Sequence, residues 1–214
     1  FDPQANSTSG MGVDKAASRG VYDVLINGAD VTASVAHTRY GDVLPSSKAL
    51  AGAGIEMIDR ENREFLLKQA LDVLSPNYDF ILIDCPPSLG LLTVNALTAA
   101  DYLLIPTMAE TFAASGITQL YDTYKSVKKY TNPALRIDGV LLTRTERTRV
   151  TKTIQELTEK IADYMGADVY RTTIRSNVII KEAQAVQENV FDYIESKAQT
   201  KGCLLYTSDA ADEL

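Results

Sequence analysis

Tryptophan is absent from the 214 residues, histidine occurs once and cysteine twice. Cys85 and Cys203 stand far apart, with no CxxC or His-rich spacing, so neither a disulfide framework nor a zinc site is indicated. That usage suits a reducing compartment. Long apolar runs are also missing. Nothing approaches the ~20 apolar residues of a membrane span, and no charged-then-apolar signal segment opens the chain. His37 has no acid-and-nucleophile neighbourhood and reads as a surface residue. A net charge of −7 excludes a uniformly basic nucleic-acid binder but leaves room for a local basic patch. One further absence is chemical. A phosphate cradle needs a glycine-rich loop whose backbone N–H groups close around the anion, followed by Lys and Ser/Thr. No G-x-x-x-x-G-K-[ST] occurs anywhere, and the glycines at Gly10, Gly12, Gly52 and Gly54 are not followed by Lys-Ser/Thr.

What is present is an ordinary globular composition, 45% apolar and 23% charged, at a length that can bury one sizeable core. Apolar strand-like runs alternate with helix-like stretches, the pattern of βαβ units around a parallel sheet. Helical spacing covers residues 61–75, 89–100, 113–130, 150–165 and 179–186. Strands are expected at 102–106 and 137–143, with a short one near Val169. The run VYDVLI within residues 20–47 fits helix or strand.

The stretch YDFILIDCPPSLG (78–90) carries the most information. Four apolar residues, 80–83, end on Asp84. Such a run reads as a strand buried on both faces, and the two prolines that follow cannot continue its ladder. Asp84 is thereby placed at the carboxyl end of a central strand, where open α/β sheets bind ligands. An acid there can hold a metal-bound phosphate through water, or it can simply cap the next helix. Cys85 is expected to be a small, partly buried packing residue.

FDPQANSTSGMG (1–12), YDFILIDCPPSLGLLTVNAL (78–97), ADYLLIP (100–106), IDGVLLTRTERTR (137–149) and TTIRSNVIIKEA (172–183) occur in that order. Together they resemble the ParA/Soj family, the deviant-Walker ATPases that segregate chromosomes and plasmids. The resemblance spans roughly residues 1–198. It implies a doubly wound, mostly parallel α/β sheet with helices on both faces, of the P-loop NTPase type. It also implies ATP and magnesium as cofactors, an ATP-dependent homodimer, sequence-nonspecific DNA binding, a ParB-type partner, and a cytoplasmic, nucleoid-associated location.

Residue by residue, Asp2 resembles the switch I acid that orients the attacking water; its chemistry alone also suits a turn before Pro3. Asp84 resembles the Walker B acid that contacts magnesium through a coordinated water. Pro86, Pro87, Ser88 and Gly90 then correspond to switch II, which senses the γ-phosphate. Asn177 matches the asparagine that contacts adenine, and it equally suits a helix N-cap. Arg175 and Ser176 stand where the family usually has Pro and Arg. In the family the phosphate loop and its strand lie just upstream of the DPQ element. The fold is therefore expected to lack that first strand and loop, and the fragment to be inactive in hydrolysis.

Lys125, Lys128, Lys129, Arg136, Arg144, Arg147, Arg149 and Lys152 face only Asp138 and Glu146 along the same stretch. Such an excess can neutralise phosphates without reading bases, or form a solvated surface. The DNA-contact candidates are Arg144, Arg147, Arg149, Lys152, Arg171, Arg175 and Lys181. Residues 1–200 are expected to form one incomplete ATPase domain. The end, CLLYTSDAADEL, resembles a translated sequencing-library adaptor, so 201–214 are expected to be a non-native or disordered tail. Two rivals remain: a MinD-like membrane-associated ATPase, which should carry a basic amphipathic helix at its C-terminus, and a non-catalytic binding module without a P-loop.

Overall fold

The computed structural model describes residues 1–16, 19–108, 113–146 and 149–197. They divide into two compact units. The first holds 1–101 with 125–135; the second holds 102–124 and the chain from 136 onward. Residues 201–214, and with them the expected tail, lie outside the described residues.

In the first unit, α1 (Asn6–Gly10) follows the N-terminal loop and α2 (Val21–Asn27) follows Gly20. The run that sequence left ambiguous is thus a helix. Both its ends are satisfied: Asp23 in the first turn accepts from the Gly20 N–H at 3.0 Å, and Arg60 donates to the Leu25 and Ile26 carbonyls at 2.8 and 2.7 Å. These bonds take up backbone groups that a helix leaves unpaired at its ends. A hairpin follows, β1 (Ala36–Thr38) antiparallel to β2 (Gly41–Val43). His37 is 79% exposed, as expected of a surface residue, and its Nδ1 meets Asp42 at 2.6 Å. The Tyr78 hydroxyl donates to the other Asp42 oxygen at 2.6 Å. Tyr78 first and His37 second hold the Asp42 carboxyl below its ordinary range.

Helices α3 (Leu50–Glu56), α4 (Leu66–Leu74) and α5 (Leu91–Ala99) complete this unit. Leu67, Ala70 and Leu74 are the buried positions of α4, the i, i+3, i+7 stripe of an amphipathic helix. Leu67 joins Val21, Leu25, Leu50, Ala53, Met57 and Ala96 in the core.

The expected buried strand at 80–83 does not form. No strand pairs with it among the described residues, and Phe80 and Leu82 are 87% and 93% exposed. Ile83 still packs against the core. The segment keeps the alternation of a strand, but a parallel strand is buried only when neighbours occupy its edges and helices cover its faces.

The second unit is α/β, as expected. Its sheet has the order β3 (Tyr102–Met108), β4 (Arg136–Thr145), β5 (Ile174–Arg175), with parallel pairing throughout. Near Val169, where a short strand was expected, there is an isolated parallel bridge to Val140. Ile117 of α6 (Ala113–Tyr130) and Ala162 and Met165 of α7 (Arg149–Met165) pack on Ile105 and Val140 of the sheet. Helices α8 (Val178–Ala185) and α9 (Val190–Lys197) follow. No helix among the described residues is long and apolar enough to cross a membrane.

Gly139 in β4 is required by close approach. A Cβ there would lie 2.7 Å from the Tyr170 ring and 3.1 Å from the Asp168 carbonyl. Tyr170 is tied by its N–H to the Val140 carbonyl at 2.9 Å and by its hydroxyl to Asp138. Gly139→Ala is expected to push the ring outward and lower stability by about 1–3 kcal/mol, measured as a shifted urea midpoint.

Candidate functional site

The N-terminal loop is built around Asp2. Its Oδ1 accepts from the Gln4 N–H at 2.9 Å, and its carbonyl accepts from the Ala5 N–H at 2.9 Å. Both bonds make a tight turn after Pro3, so the turn-forming chemistry of Asp2 is realised. Ala5 closes the turn in the left-handed region, at φ 53°, a conformation that costs a residue with a Cβ about 1–2 kcal/mol. The strain is held by burial, since Ala5 is 3% exposed, and by long-range bonds. Ser46 donates its hydroxyl to the Asp2 carbonyl at 2.8 Å and its N–H to Thr8 Oγ1 at 2.9 Å.

Asp84 is exposed at the end of the unpaired segment. The Ser7 hydroxyl donates to its Oδ2, joining the loop that carries Asp2 to the acid 77 residues along the chain. Cys85 is exposed, which corrects the expectation of partial burial: the segment has no partner strand to cover it. Desolvation first, with Asp84 and Asp2 opposing its charge, pushes the thiol up to about 11. Ser7, Asp84 and the adjoining Cys85 form one cluster, and Asp2 lies five residues before Ser7 in the chain.

Beyond Asp84, the loop 86–90 is exposed apart from half-buried Pro86. Thr93, 4% exposed, donates its hydroxyl to the Ser88 carbonyl and fixes the loop to the first turn of α5. Asn95, two residues on, is fully buried. Its Oδ1 accepts from Leu67 N–H at 3.1 Å, and its Nδ2 donates to the Arg63 and Leu91 carbonyls at 2.8 and 3.1 Å. An amide among the apolar positions of LLTVNALTA was the available sequence signal for it. Ser46 had none, because its partners lie about 40 residues away.

The donor set bears on which metal the cluster could hold. No group of three or more His, Cys, Asp or Glu able to hold a metal occurs among the described residues. That does not fit an all-protein cage. It fits magnesium, which keeps several waters and uses one or two carboxylates together with substrate phosphates. Asp84, with its exposed carboxylate, would be the residue to hold it.

Asn177 belongs to the second unit. It caps α8, its Oδ1 accepting from the Ile179 N–H at 2.9 Å, so the N-cap alternative is realised. Arg144 is exposed at a left-handed bulge of β4, with φ 53°, and donates to Met108 Sδ at 3.2 Å. Lys152, Arg171 and Lys181 are exposed and Arg175 is half-buried. Arg147 and the side chain of Arg149 lie outside the described residues. The basic run is shared between the two units, with 125–135 in the first. Lys128 within it is engaged by the Leu135 carbonyl at 2.8 Å.

Residues 1–137 match a family model described as an AAA domain. The sporulation initiation inhibitor protein Soj of Bacillus subtilis is 46% identical over 186 residues, covering 86% of this chain and 73% of the relative. The chromosome partitioning protein ParA of Myxococcus xanthus is 37% identical over 210 residues, covering 96% of this chain and 72% of the relative. Among solved structures, cobyrinic acid a,c-diamide synthase from Mycobacterium smegmatis with bound ADP and magnesium is similar. It superposes with a TM-score of 0.76 at 32% identity, covering 96% of this chain and 84% of that one.

Proposed function

Because the chain belongs to the ParA/Soj family of partitioning ATPases, we propose that its first unit provides part of an ATP and magnesium site that drives chromosome or plasmid segregation. The observation that carries this reading is the Ser7–Asp84 bond, which joins the DPQ loop to the acid after the apolar run. Phosphoryl transfer depends on positioning and charge stabilisation more than on covalent chemistry by the protein. In this reading Asp84 holds a metal-bound water, Asp2 orients the attacking water, and the backbone of 86–90 senses the γ-phosphate. Magnesium, when bound, neutralises charge on the phosphates. Asn177, the N-cap of α8, contacts adenine. Arg144, Arg147, Arg149, Lys152, Arg171, Arg175 and Lys181 supply a salt-sensitive, sequence-independent DNA surface. A homodimer formed with ATP, a ParB-type partner and a nucleoid-associated cytoplasmic location complete the proposal.

The 214 residues contain no glycine-rich phosphate loop, so isothermal titration is expected to show no ATP binding at micromolar concentration. Joining a G-x-x-x-x-G-K-[ST] loop and its strand upstream of Phe1 is expected to confer magnesium-dependent hydrolysis. In that form Asp2→Ala and Asp84→Ala each lower kcat by about a hundredfold. Hydrolysis indifferent to both substitutions overturns the reading, and micromolar ATP binding by the 214 residues alone overturns the expectation that binding needs the added loop.

A further inference from the structure

The loop bearing Asp2 is gripped at two points by one residue outside it. Ser46 is 3% exposed and Thr8 2% exposed. Through its hydroxyl Ser46 holds the Asp2 carbonyl, and through its N–H it holds the hydroxyl of Thr8, six residues further on in α1. Ser46 is itself anchored, because the neighbouring Pro45 carbonyl accepts from the Val21 N–H at 2.8 Å at the first turn of α2. Between the two grips the chain passes through the left-handed turn at Ala5. A strained backbone persists only where its surroundings over-determine it, and here the two bonds supply that determination. The Asp2 carboxylate is tied to the same turn through the Gln4 N–H. A rotation of the Asp2 peptide therefore carries the carboxylate with it.

We propose that Ser46 is a positioning residue for Asp2: it sets the direction of that carboxylate by fixing the Asp2 carbonyl and the far end of the loop together. The inference rests on the reading of Asp2 as the water-orienting acid. Small displacements of an orienting group have large kinetic consequences, because the reactive geometry tolerates little error.

Two variants break the grip separately. Ser46→Ala removes the bond to Asp2 and keeps the N–H bond to Thr8, while Thr8→Val does the reverse. Hydrogen–deuterium exchange on the 214-residue chain is expected to be about tenfold faster over residues 2–9 in either variant, the equivalent of one lost bond. Exchange in 102–108 and 136–145 should stay unchanged. Ser46→Thr, which keeps the hydroxyl, restores the slow exchange. In the form carrying an added phosphate loop, Ser46→Ala lowers kcat by about tenfold with KM for ATP within about twofold, and Ser46→Thr recovers it. Unchanged exchange over 2–9, acceleration spread evenly over both units, or an unchanged kcat each overturn the proposal. If Asp2→Ala leaves kcat unchanged while Ser46→Ala still loosens 2–9, the assigned role of Asp2 fails and the grip on the loop stands.

Discussion

Replacing Asn95 with Ala is expected to lower the unfolding free energy by about 3 kcal/mol, since each buried polar group left without its partner costs about 1–3 kcal/mol. The side chain is fully buried and spans two helices. Its carbonyl takes the Leu67 N–H, one of the donors that α4 cannot satisfy within itself. Its amide takes the Arg63 carbonyl in the turn just before that helix. Asn95→Asp separates these roles. The acceptor survives, but the donors are lost and a carboxylate now faces two carbonyl oxygens in a dry site. At pH 7 this variant should be less stable than Asn95→Ala. Burial raises its folded pKa above the unfolded value of about 3.9. The raised pKa favours folding fully below that unfolded value, and the benefit is lost as pH rises through the folded one. Urea midpoints measured from pH 4 to pH 8 should therefore diverge from those of the parent as pH rises. An Asn95→Asp protein as stable as the parent at pH 7 would refute the bonding assigned to this amide.

Gly20→Ala should cost about 2–3 kcal/mol, at the upper part of the range for overpacking. The backbone of Gly20 is extended, with φ −144° and ψ −168°, so conformational strain is not the reason. A Cβ would fall 2.3 Å from the Pro45 carbonyl oxygen and 3.0 Å from its carbon. Both are backbone atoms and cannot rotate aside, so the 45–46 segment has to move. That segment grips the Asp2 loop, which gives this substitution a second effect: faster hydrogen exchange over residues 2–9. Gly90→Ala provides the control. A Cβ there meets nothing within 4 Å, and its effect should stay within about 0.5 kcal/mol. A denaturant midpoint for Gly20→Ala equal to that of Gly90→Ala would sink the steric argument.

The long helices were legible in the sequence because a 3.6-residue apolar stripe states both the element and its buried face; α6 and α7 begin and end within a residue of where their periodicity places them. Strands β3 and β4 were legible for a related reason, as continuous apolar runs whose partners are present in the same unit, whereas the two-residue β5, Ile174–Arg175, has no such run and was not. The run at 80–83 has the same composition and a different fate. Composition states that a segment is suited to burial, whereas a ladder needs a second strand, and no residue within the run reports on that. The run VYDVLI, 21–26, was ambiguous because six residues interrupted by Asp23 carry less than two turns of pattern. Asp23 and the distant Arg60 decide it as a helix. At the site, Asp2 and Asp84 stood out through the motifs around them. Ser46 and Ser7 did not, since a serine hydroxyl acquires a role only when the fold brings residue 46 to residues 2 and 8, and residue 7 to residue 84.

Phe80 and Leu82 project into solvent from an extended segment whose hydrogen-bonding groups have no partner strand among the described residues. The consequence concerns the fate of the polypeptide in a crowded cell. Extended, β-branched and aromatic stretches with open edges are templates for intermolecular pairing, and no proline or charge interrupts this one before Asp84. The segment is therefore expected to promote self-association of this chain, read as light scattering that grows with protein concentration.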